Sequence, residues 1–299
     1  MPKVFGKVSG ISPNMNNSYF EKFNLGGAIP QFVETNTQYL TIGGSYSYGT
    51  NMDLSDTDVT GFCIPPKKYI FPNAIFGFDN IPVFEEWQKH HVIYKERSYD
   101  FKVFSIVKFI KLLRDGNPNM IDTLYTDRDC ILYSTPIAEM IRAKRGLFLS
   151  KLCVPKFRGY AYAELKNIHN KKTGQRKELV EKFGFDTKNA GHVVRLLLEC
   201  EQILLDQHLE LRRDKEFIKN VRAGNWSLEQ VQEFFTSKEQ YLVDLEQKSK
   251  LRDRPDDEAI RQLLVDCLEH HYGSLENYLG KQDKYSVAVR QIAQILEDL

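Results

Sequence analysis

Apolar residues are spaced differently in the first third of the chain and in the rest. Up to residue 116, short apolar runs bounded by Gly, Asn and Pro are typical of buried strands, and a few segments have helical spacing instead. Gly116 ends the last of these patterns. The elements predicted here are strands over 38–42, 56–64 and 92–103 and helices near 19–23, 84–91 and 104–113.

From residue 117 onward, nearly every periodic segment has the 3.6-residue spacing of a helix. Ser227 and Gln230 form a capping-box pattern, which predicts where one of these helices begins. The helices predicted are 118–125, 136–145, 157–169, 188–210, 214–222, 228–248, 256–271 and 283–297.

Two charged stretches interrupt the helical region. Lys-rich residues 166–177 and charged residues 249–258 are predicted to be exposed loops. The change of pattern predicts an α/β half with a small sheet at 1–116, an all-helical half at 117–299, and a cleft between the two.

Composition indicates an ordinary globular protein without a strong overall charge. Of the 299 residues, 42% are hydrophobic and 27% are charged, and the net charge is +1. So small a net charge produces no overall positive electrostatic field that would attract nucleic acid, and an RNA substrate would need a local basic patch. The five cysteines include no C-x-x-C pair, no apolar run is as long as a membrane span, and the N-terminus lacks a signal-peptide core. We therefore expect a cytoplasmic protein that does not bind membranes.

Residues 41–62 combine a glycine turn with two closely spaced carboxylates. The turn Gly43-Gly44-Ser45 offers backbone N–H groups and a hydroxyl to a phosphate. Asp56 and Asp58 follow on a predicted strand, where side chains two residues apart share one face. Two carboxylates in one space repel each other unless a cation lies between them, and Mg²⁺ is a hard ion that binds both carboxylates and phosphates. The segment is therefore interpreted as a metal–triphosphate site.

Phosphoryl transfer with two metal ions usually needs a third carboxylate. Glu96 and Asp100 are the candidates, because they lie four residues apart on the predicted third strand and would share a face there. The pattern alone leaves both open. The nearby pair His90-His91 is predicted to lie at the surface, since adjacent histidines on a helix point in different directions.

The helix predicted at 188–210 has a polar face opposite its apolar stripe. His192 and Arg195 lie in its first turns, where a helix N-terminus favours anions. From Glu199 onward, the polar side chains are predicted to be solvated. His192 and Arg195 are therefore candidate contacts for a triphosphate or another substrate.

The glycine–serine turn followed by Asp-x-Asp resembles the signature of the polymerase-β-type nucleotidyltransferase superfamily. The longer pattern, Gly44-Ser45-x-x-Tyr48-Gly49-Thr50 with Ser55-Asp56-x-Asp58-x-x-Gly61, is similar to the predicted nucleotidyltransferases that are associated with RNA ligases. Further matches follow in order, so that the resemblance spans roughly residues 41–260. They are Gly116-Asn117-Pro118-Asn119, Phe148-Leu149-Ser150-Lys151, Gly159-Tyr160-Ala161 with Leu165-Lys166, His192-x-x-Arg195-Leu196-Leu197 and Arg222-x-Gly224-x-Trp226-Ser227-Leu228.

The resemblance implies an α/β (α+β) nucleotidyltransferase domain with a small mixed sheet, followed by an all-helical domain that binds substrate and nucleotide. It implies a template-independent enzyme that moves a nucleoside monophosphate from a nucleoside triphosphate to an acceptor hydroxyl, with two Mg²⁺ or Mn²⁺ ions. Asp56, Asp58 and Asp100 would be the catalytic metal ligands, because Asp100 rather than Glu96 resembles the last carboxylate of the family.

The resemblance also implies which residues contact substrate. Gly44 and Ser45 would hold the β and γ phosphates. The other candidate contacts are Lys151, Lys166, His192 and Arg195.

The acceptor implied by the resemblance is an RNA 3′ end, such as that of a tRNA under repair. A protein side chain or a small molecule is the alternative acceptor, which the near-neutral net charge favours slightly. A third hypothesis is a non-catalytic nucleotide-binding adaptor, which is disfavoured because all the expected carboxylates are present.

Overall fold

The structure is a computed structural model that describes residues 19–23, 25, 29–51, 57–71, 83–169 and 175–274. Its strands are β1 (Thr37–Ile42), β2 (Thr57–Cys63), β3 (Glu86–Tyr94), β4 (Arg97–Ser105) and β5 (Ile131–Ser134). Its helices are α1 (Gln31–Asn36), α2 (Gly44–Ser47), α3 (Ile106–Arg114), α4 (Pro118–Tyr125), α5 (Pro136–Ala143), α6 (Cys153–Lys166), α7 (Gln175–Phe183), α8 (Thr187–Asp206), α9 (Lys215–Arg222), α10 (Leu228–Lys248) and α11 (Asp257–Tyr272).

The strands form one sheet in the order β3-β4-β2-β1-β5. The pair β2 and β4 is parallel, and the other neighbouring pairs are antiparallel, which confirms the predicted small mixed sheet. β5 lies beyond residue 117, in the region predicted to be all helical, and its four residues are too short to show a strand period. The boundary at residue 116 stays a prediction, although the sheet is completed from beyond it.

The short helix predicted at 84–91 is wrong, because this segment forms β3. β3 pairs with β4, and a bulge between Lys89 and Val92 adds one residue to β3. A bulge shifts the alternation of inward and outward side chains. The two-residue period of a strand is therefore broken in this segment, and the spacing of its apolar residues resembles that of a helix.

The strand predicted at 92–103 is two strands joined by a turn. Lys95 and Glu96 form that turn, with φ angles of 49° and 64°. Positive φ at both central residues is the pattern of the tight turns that suit the twist of a hairpin. Glu96 therefore lies at the tip of the hairpin, four residues from Asp100 in sequence but not on the same regular strand.

Most of the predicted helices are confirmed within a few residues, and α10 has the bounds that were predicted. Both hydrogen bonds of its capping box are present between Ser227 and Gln230. The helix predicted near 19–23 is instead a turn, and the one predicted at 283–297 lies outside the described residues. The short α1 and α2 were not predicted, and α7 begins inside the stretch predicted as a lysine-rich loop.

Buried apolar side chains lie on both faces of the sheet. On β1, Tyr39 belongs to a large cluster shared with the helices, whereas its neighbour Leu40 belongs to a smaller cluster on the opposite face. The large cluster takes residues from both sides of position 116, including Phe109 and Leu197. Among the described helices, none is long and apolar enough to cross a membrane.

Helix α8 is the central helix of the second half, and it packs against α6, α9 and α10. The prediction that its polar face is solvated from Glu199 onward is wrong for Glu199, which is 2% exposed, and for Gln202, which is also buried, whereas Asp206 is exposed as predicted. Up to Gln202, the face opposite the apolar stripe packs against other parts of the chain instead of water. Some of its polar groups have partners outside the helix, such as Asp122 for Arg195 and Asp214 for Gln202, which a helical period cannot reveal.

Candidate functional site

Two carboxylates meet on neighbouring strands of the sheet. Asp58 on β2 and Asp100 on β4 are direct partners in the parallel register, so their side chains share one face. Both line a cavity of about 720 Å³ between the sheet and the helices. Asp56, the third predicted ligand, lies outside the described residues. The described residues contain no group of three or more metal-ligating side chains, so a complete three-carboxylate site would need Asp56.

The bulge in β3 lies opposite Asp100 and holds its carboxylate. The backbone N–H of His91, a residue with φ of 54°, donates to Asp100 Oδ1 at 2.8 Å. His90 Nδ1 lies 3.4 Å from Asp100 Oδ2. Both histidines are exposed, as the sequence predicts, but they lie on a strand, and His90 lines the cavity. Bulges commonly re-aim side chains beside functional sites.

The glycine turn lies directly against Asp58. Gly43 N–H donates to the backbone carbonyl of Asp58 at 2.8 Å. Gly44 has a φ of 58°, and a Cβ atom there would lie 2.3 Å from Asp58 Oδ2. Only glycine allows this approach. The turn thus leads into α2 with the carboxylate beside its first residue.

A second cavity, of about 380 Å³, adjoins the first at the carboxylates. Six residues line both cavities: Gly44, Tyr48, Asp58, Asp100, His192 and Arg195. The residues that line only the second cavity are mostly cationic or hydroxylic and include Ser45, Thr50, Arg176, Lys188 and Arg222. We call this the basic cavity. The two carboxylates therefore line both the basic cavity and a larger, mixed one.

Arg222 reaches the basic cavity from the end of α9. Its Nη1 donates to both the carbonyl and the hydroxyl oxygen of Thr50, each at 2.7 Å. Burial lowers the pKa of Arg222, with Asp186 opposing that effect. Gly191 makes the route possible, since a Cβ atom there would lie 2.5 Å from Arg222 Cγ. The guanidinium is thus held beside the glycine turn by neutral oxygens.

His192 lies in the same wall, half-buried. Burial lowers its pKa well below the ordinary value, and the surrounding cations Arg195, Lys188, Arg222 and Arg176 add to that shift. The imidazole is therefore neutral near pH 7. A neutral imidazole can donate one hydrogen bond to an anion, and an anion bound there would raise the pKa again.

Arg195 lines both cavities, but its charge is already countered. Its Nη1 donates to Asp122 Oδ2 and Glu199 Oε2, both at 2.7 Å. Tyr48 donates to Asp122 Oδ2 at 2.6 Å, and the guanidinium lies 4.1 Å from the centre of the Tyr48 ring. Of the two predicted contacts on α8, His192 faces the basic cavity with cations around it, whereas Arg195 is held by carboxylates.

Lys151 and Lys166 line neither cavity. Lys151 Nζ lies 2.9 Å from a carboxylate oxygen of Asp253. Lys166 Nζ lies over the ring of Tyr162, 4.5 Å from its centre. The structure therefore does not bring these two predicted contacts to the carboxylates.

Three cations of the basic cavity had no role assigned from sequence. Arg222 belongs to one of the family-like motifs, which was the available signal, but nothing in the local pattern connects it to Thr50, 172 positions earlier. Arg176 lies in the stretch predicted to be an exposed loop, and Lys188 begins a helix where a surface lysine is the usual interpretation. Only the fold brings the three together.

Comparisons with known proteins identify the family of this chain. The model of the RNA repair pathway DNA polymerase beta family matches residues 28–266. A search of curated protein sequences finds no significant match. Among solved structures, a nucleotidyltransferase-like protein from Exiguobacterium sibiricum 255-15 matches with 12% identity and a TM-score of 0.26, over 81% of this chain and 91% of that one. The range matched by the family model includes every residue that lines the two cavities.

Proposed function

Because this chain belongs to the RNA repair pathway DNA polymerase beta family, it is a nucleotidyltransferase, and we propose that its acceptor is an RNA 3′ end. The proposed reaction moves a nucleoside monophosphate from a nucleoside triphosphate to the terminal hydroxyl, without a template. The acceptor oxygen forms a bond to the α phosphorus, the bond to the bridging oxygen breaks, and pyrophosphate leaves. A cellular RNA as substrate agrees with the cytoplasmic location predicted from the sequence.

One observation carries the proposal. Asp58 and Asp100 are register partners at the boundary between the basic cavity and the larger one. In-line transfer needs the leaving group and the attacking group on opposite sides of the reacting phosphorus. The basic cavity suits the leaving pyrophosphate, and the larger cavity then receives the nucleoside and the acceptor hydroxyl.

The donor set fits Mg²⁺ or Mn²⁺, because carboxylate oxygens are the ligands that such hard ions prefer. Asp58 and Asp100 would hold the ions, together with Asp56 as the predicted third ligand. When bound, two such ions would neutralise the developing charge on the phosphates and lower the pKa of the attacking hydroxyl. Gly44 allows a carboxylate to lie against the glycine turn, which brings the ligands close to the phosphate-binding backbone.

The chain's own cations would orient the triphosphate. Arg222, fixed by two hydrogen bonds to Thr50, presents its remaining N–H groups to the β and γ phosphates. The hydroxyl of Ser45 and the neutral imidazole of His192 add hydrogen-bond donors from the same cavity. Arg176 and Lys188 add positive charge at its rim.

An extension assay tests the proposal. Purified protein is incubated with Mg²⁺, a tRNA or short RNA with a 3′-hydroxyl, and each of the four α-labelled nucleoside triphosphates separately. We expect the wild type to lengthen the RNA and to favour one nucleotide, and Asp58→Asn to lower the rate at least 10³-fold, an order of magnitude set by the loss of a catalytic metal ligand. Lys151→Met is the matched control and should keep full activity.

A different pattern would contradict the RNA assignment. Label that appears on protein, or on a small molecule of a cell extract, but never on RNA would identify the alternative acceptor. The carboxylates and the basic cavity would then keep their roles in holding the triphosphate.

A further inference from the structure

Tyr160 presents an exposed aromatic ring to the larger cavity. It lies on α6, its side chain is 39% exposed, and it lines the same cavity as Asp58 and Asp100. It does not line the basic cavity. Contact between water and the apolar surface of the ring is unfavourable. The cavity rim therefore contains an apolar surface on which a partner could pack.

The ring is held in place by Asn117. Asn117 Nδ2 donates to the Tyr160 hydroxyl at 3.0 Å. Asn117 is itself fixed, because its Oδ1 caps the first turn of α4 by accepting from the N–H of Met120. Tyr160 is therefore oriented before any ligand binds, which lowers the entropy cost of a contact with its ring.

The ring of Tyr160 has neither an aromatic nor a cationic partner among the described residues. Tyr162, two residues further along α6, differs in this respect, since Lys166 Nζ lies 4.5 Å from its ring centre and Phe235 packs against it at 6.3 Å. The two exposed tyrosines of one helix thus have different surroundings.

The neighbours of Tyr160 on α6 leave room beside it. Gly159 and Ala163 are small and exposed, and a Cβ atom added to Gly159 would meet nothing within 4 Å. Lys102 and Lys108 also line the larger cavity, and both are paired with Glu86. On α6 itself, nothing at Gly159 obstructs the surface next to the ring.

We propose that Tyr160 is the stacking platform for the 3′-terminal base of the RNA acceptor. This proposal rests on the proposed function. Nucleic-acid bases stack on aromatic side chains whatever their identity, and a preorganised tyrosine suits a terminal base that must be held for attack. The ring lines the larger cavity and not the basic one, and the acceptor is favoured over the incoming nucleotide because the ring is 39% exposed and so accessible to an RNA that extends into solvent.

The test uses the full chain with an RNA whose 3′-terminal base is 2-aminopurine, a fluorophore that is quenched by stacking. Steady-state extension gives KM separately for RNA and for the nucleoside triphosphate, and fluorescence gives RNA binding without turnover. We expect Tyr160→Ala to raise the KM for RNA about tenfold and to abolish quenching, with little change in the KM for the nucleotide. Tyr160→Phe keeps the ring and should restore the KM for RNA to within about threefold of the wild type.

Tyr162→Ala is the matched control and should leave both KM values and the quenching unchanged. A tenfold rise in the KM for the nucleotide, with that for RNA unchanged, would assign the ring to the incoming base and overturn the proposal. So would unchanged kinetics in Tyr160→Ala. A wild type that neither binds nor extends any RNA would overturn the RNA acceptor itself, which is a different result from an active wild type that is indifferent to Tyr160.

Discussion

Arg195 and Arg222 both line the basic cavity from the helical region, but their partners differ in kind. The guanidinium of Arg195 is buried and donates to the carboxylates of Asp122 and Glu199. That of Arg222 is half-buried and donates to two neutral oxygens of Thr50. A cation that is already paired with carboxylates gains little electrostatic free energy from a further anion. A cation whose partners are neutral still gains it. The comparison indicates that Arg195 holds the elements of the cleft together and that Arg222 binds an anionic ligand there.

The surroundings of Arg195 form a closed network, defined here as Tyr48, Asp122, Arg195 and Glu199. It links α2 beside the glycine turn, α4 and α8. Burial raises the pKa of both carboxyl groups, and the single guanidinium opposes that shift. Asp122 Oδ1, Glu199 Oε1 and Arg195 Nε are buried without a hydrogen-bond partner in the described chain. Two carboxyl groups thus share one cation, and the network is sensitive to the loss of any member.

The largest effect that the comparison predicts is on stability. Arg195→Met leaves two buried carboxyl groups without their cation, so we expect the free energy of unfolding to fall by about 3–5 kcal/mol. Urea denaturation measures this change. Arg213→Met is the control, because Arg213 forms an exposed pair with Asp206 and should cost less than about 1 kcal/mol. Similar losses in the two variants would contradict a structural role for the Arg195 network.

The second prediction concerns ligand affinity. Arg222→Met removes a cation of the basic cavity, and the Kd for a nucleoside triphosphate in the presence of Mg²⁺ should rise about 10- to 100-fold, the range for hydrogen bonds to charged groups. Titration calorimetry measures it. Lys219→Met, on the exposed face of the same helix, should leave the Kd unchanged. An unchanged Kd in Arg222→Met would remove the distinction between the two arginines.

Gly191 provides a third and sharper test of Arg222. Alanine is favoured over glycine in a helix by about 1 kcal/mol, yet a Cβ atom at Gly191 would displace the Arg222 side chain. We expect Gly191→Ala to weaken triphosphate binding about 5- to 10-fold, which is part of the effect of losing a charged hydrogen bond.

The effect of Gly191→Ala should vanish in an Arg222→Met background, because the displaced group is then absent. Gly159→Ala is the control, since α6 has open space there and the substitution should leave triphosphate binding unchanged. Additive effects of Gly191→Ala and Arg222→Met would show that the glycine acts in some other way.

The sequence could predict the parts of this site that depend on neighbours in the chain. The glycine turn, the strand that carries Asp58 and the helix that carries His192 are each defined by a local pattern. Asp100 was preferred over Glu96 by resemblance, and the hairpin explains the difference, since Glu96 lies in the turn.

The remaining features depend on contacts between distant residues. The bulge that holds Asp100 disturbs the period from which strands are identified, so the sequence pattern predicts a helix where β3 lies. Arg222 meets Thr50 only after α9 has packed on α8. Glu199 belongs to a polar face that is solvated in an ordinary surface helix, yet it is buried here and paired with Arg195, which also binds Asp122 on α4. Periodicity contains no information about such partners.

The last predicted effect is a pH dependence in the stability that the Arg195 network provides. The pKa of Glu199 is raised in the folded state by burial, with Asp122 and Asp214 adding to the shift and Arg195 opposing it. A carboxyl group with a raised folded pKa stabilises the fold at low pH, and that contribution is lost as the pH rises through the folded pKa. Between pH 5 and 8, the wild type should therefore lose stability relative to Glu199→Gln, with a slope of at most about 1.4 kcal/mol per pH unit for one proton.

Urea denaturation of both proteins across this range measures the slope, and Glu201→Gln, at a half-buried site on the same helix, is the control. Parallel stability curves for the wild type and Glu199→Gln would mean that Arg195 keeps Glu199 ionised throughout, and the network would then be a simple ion pair.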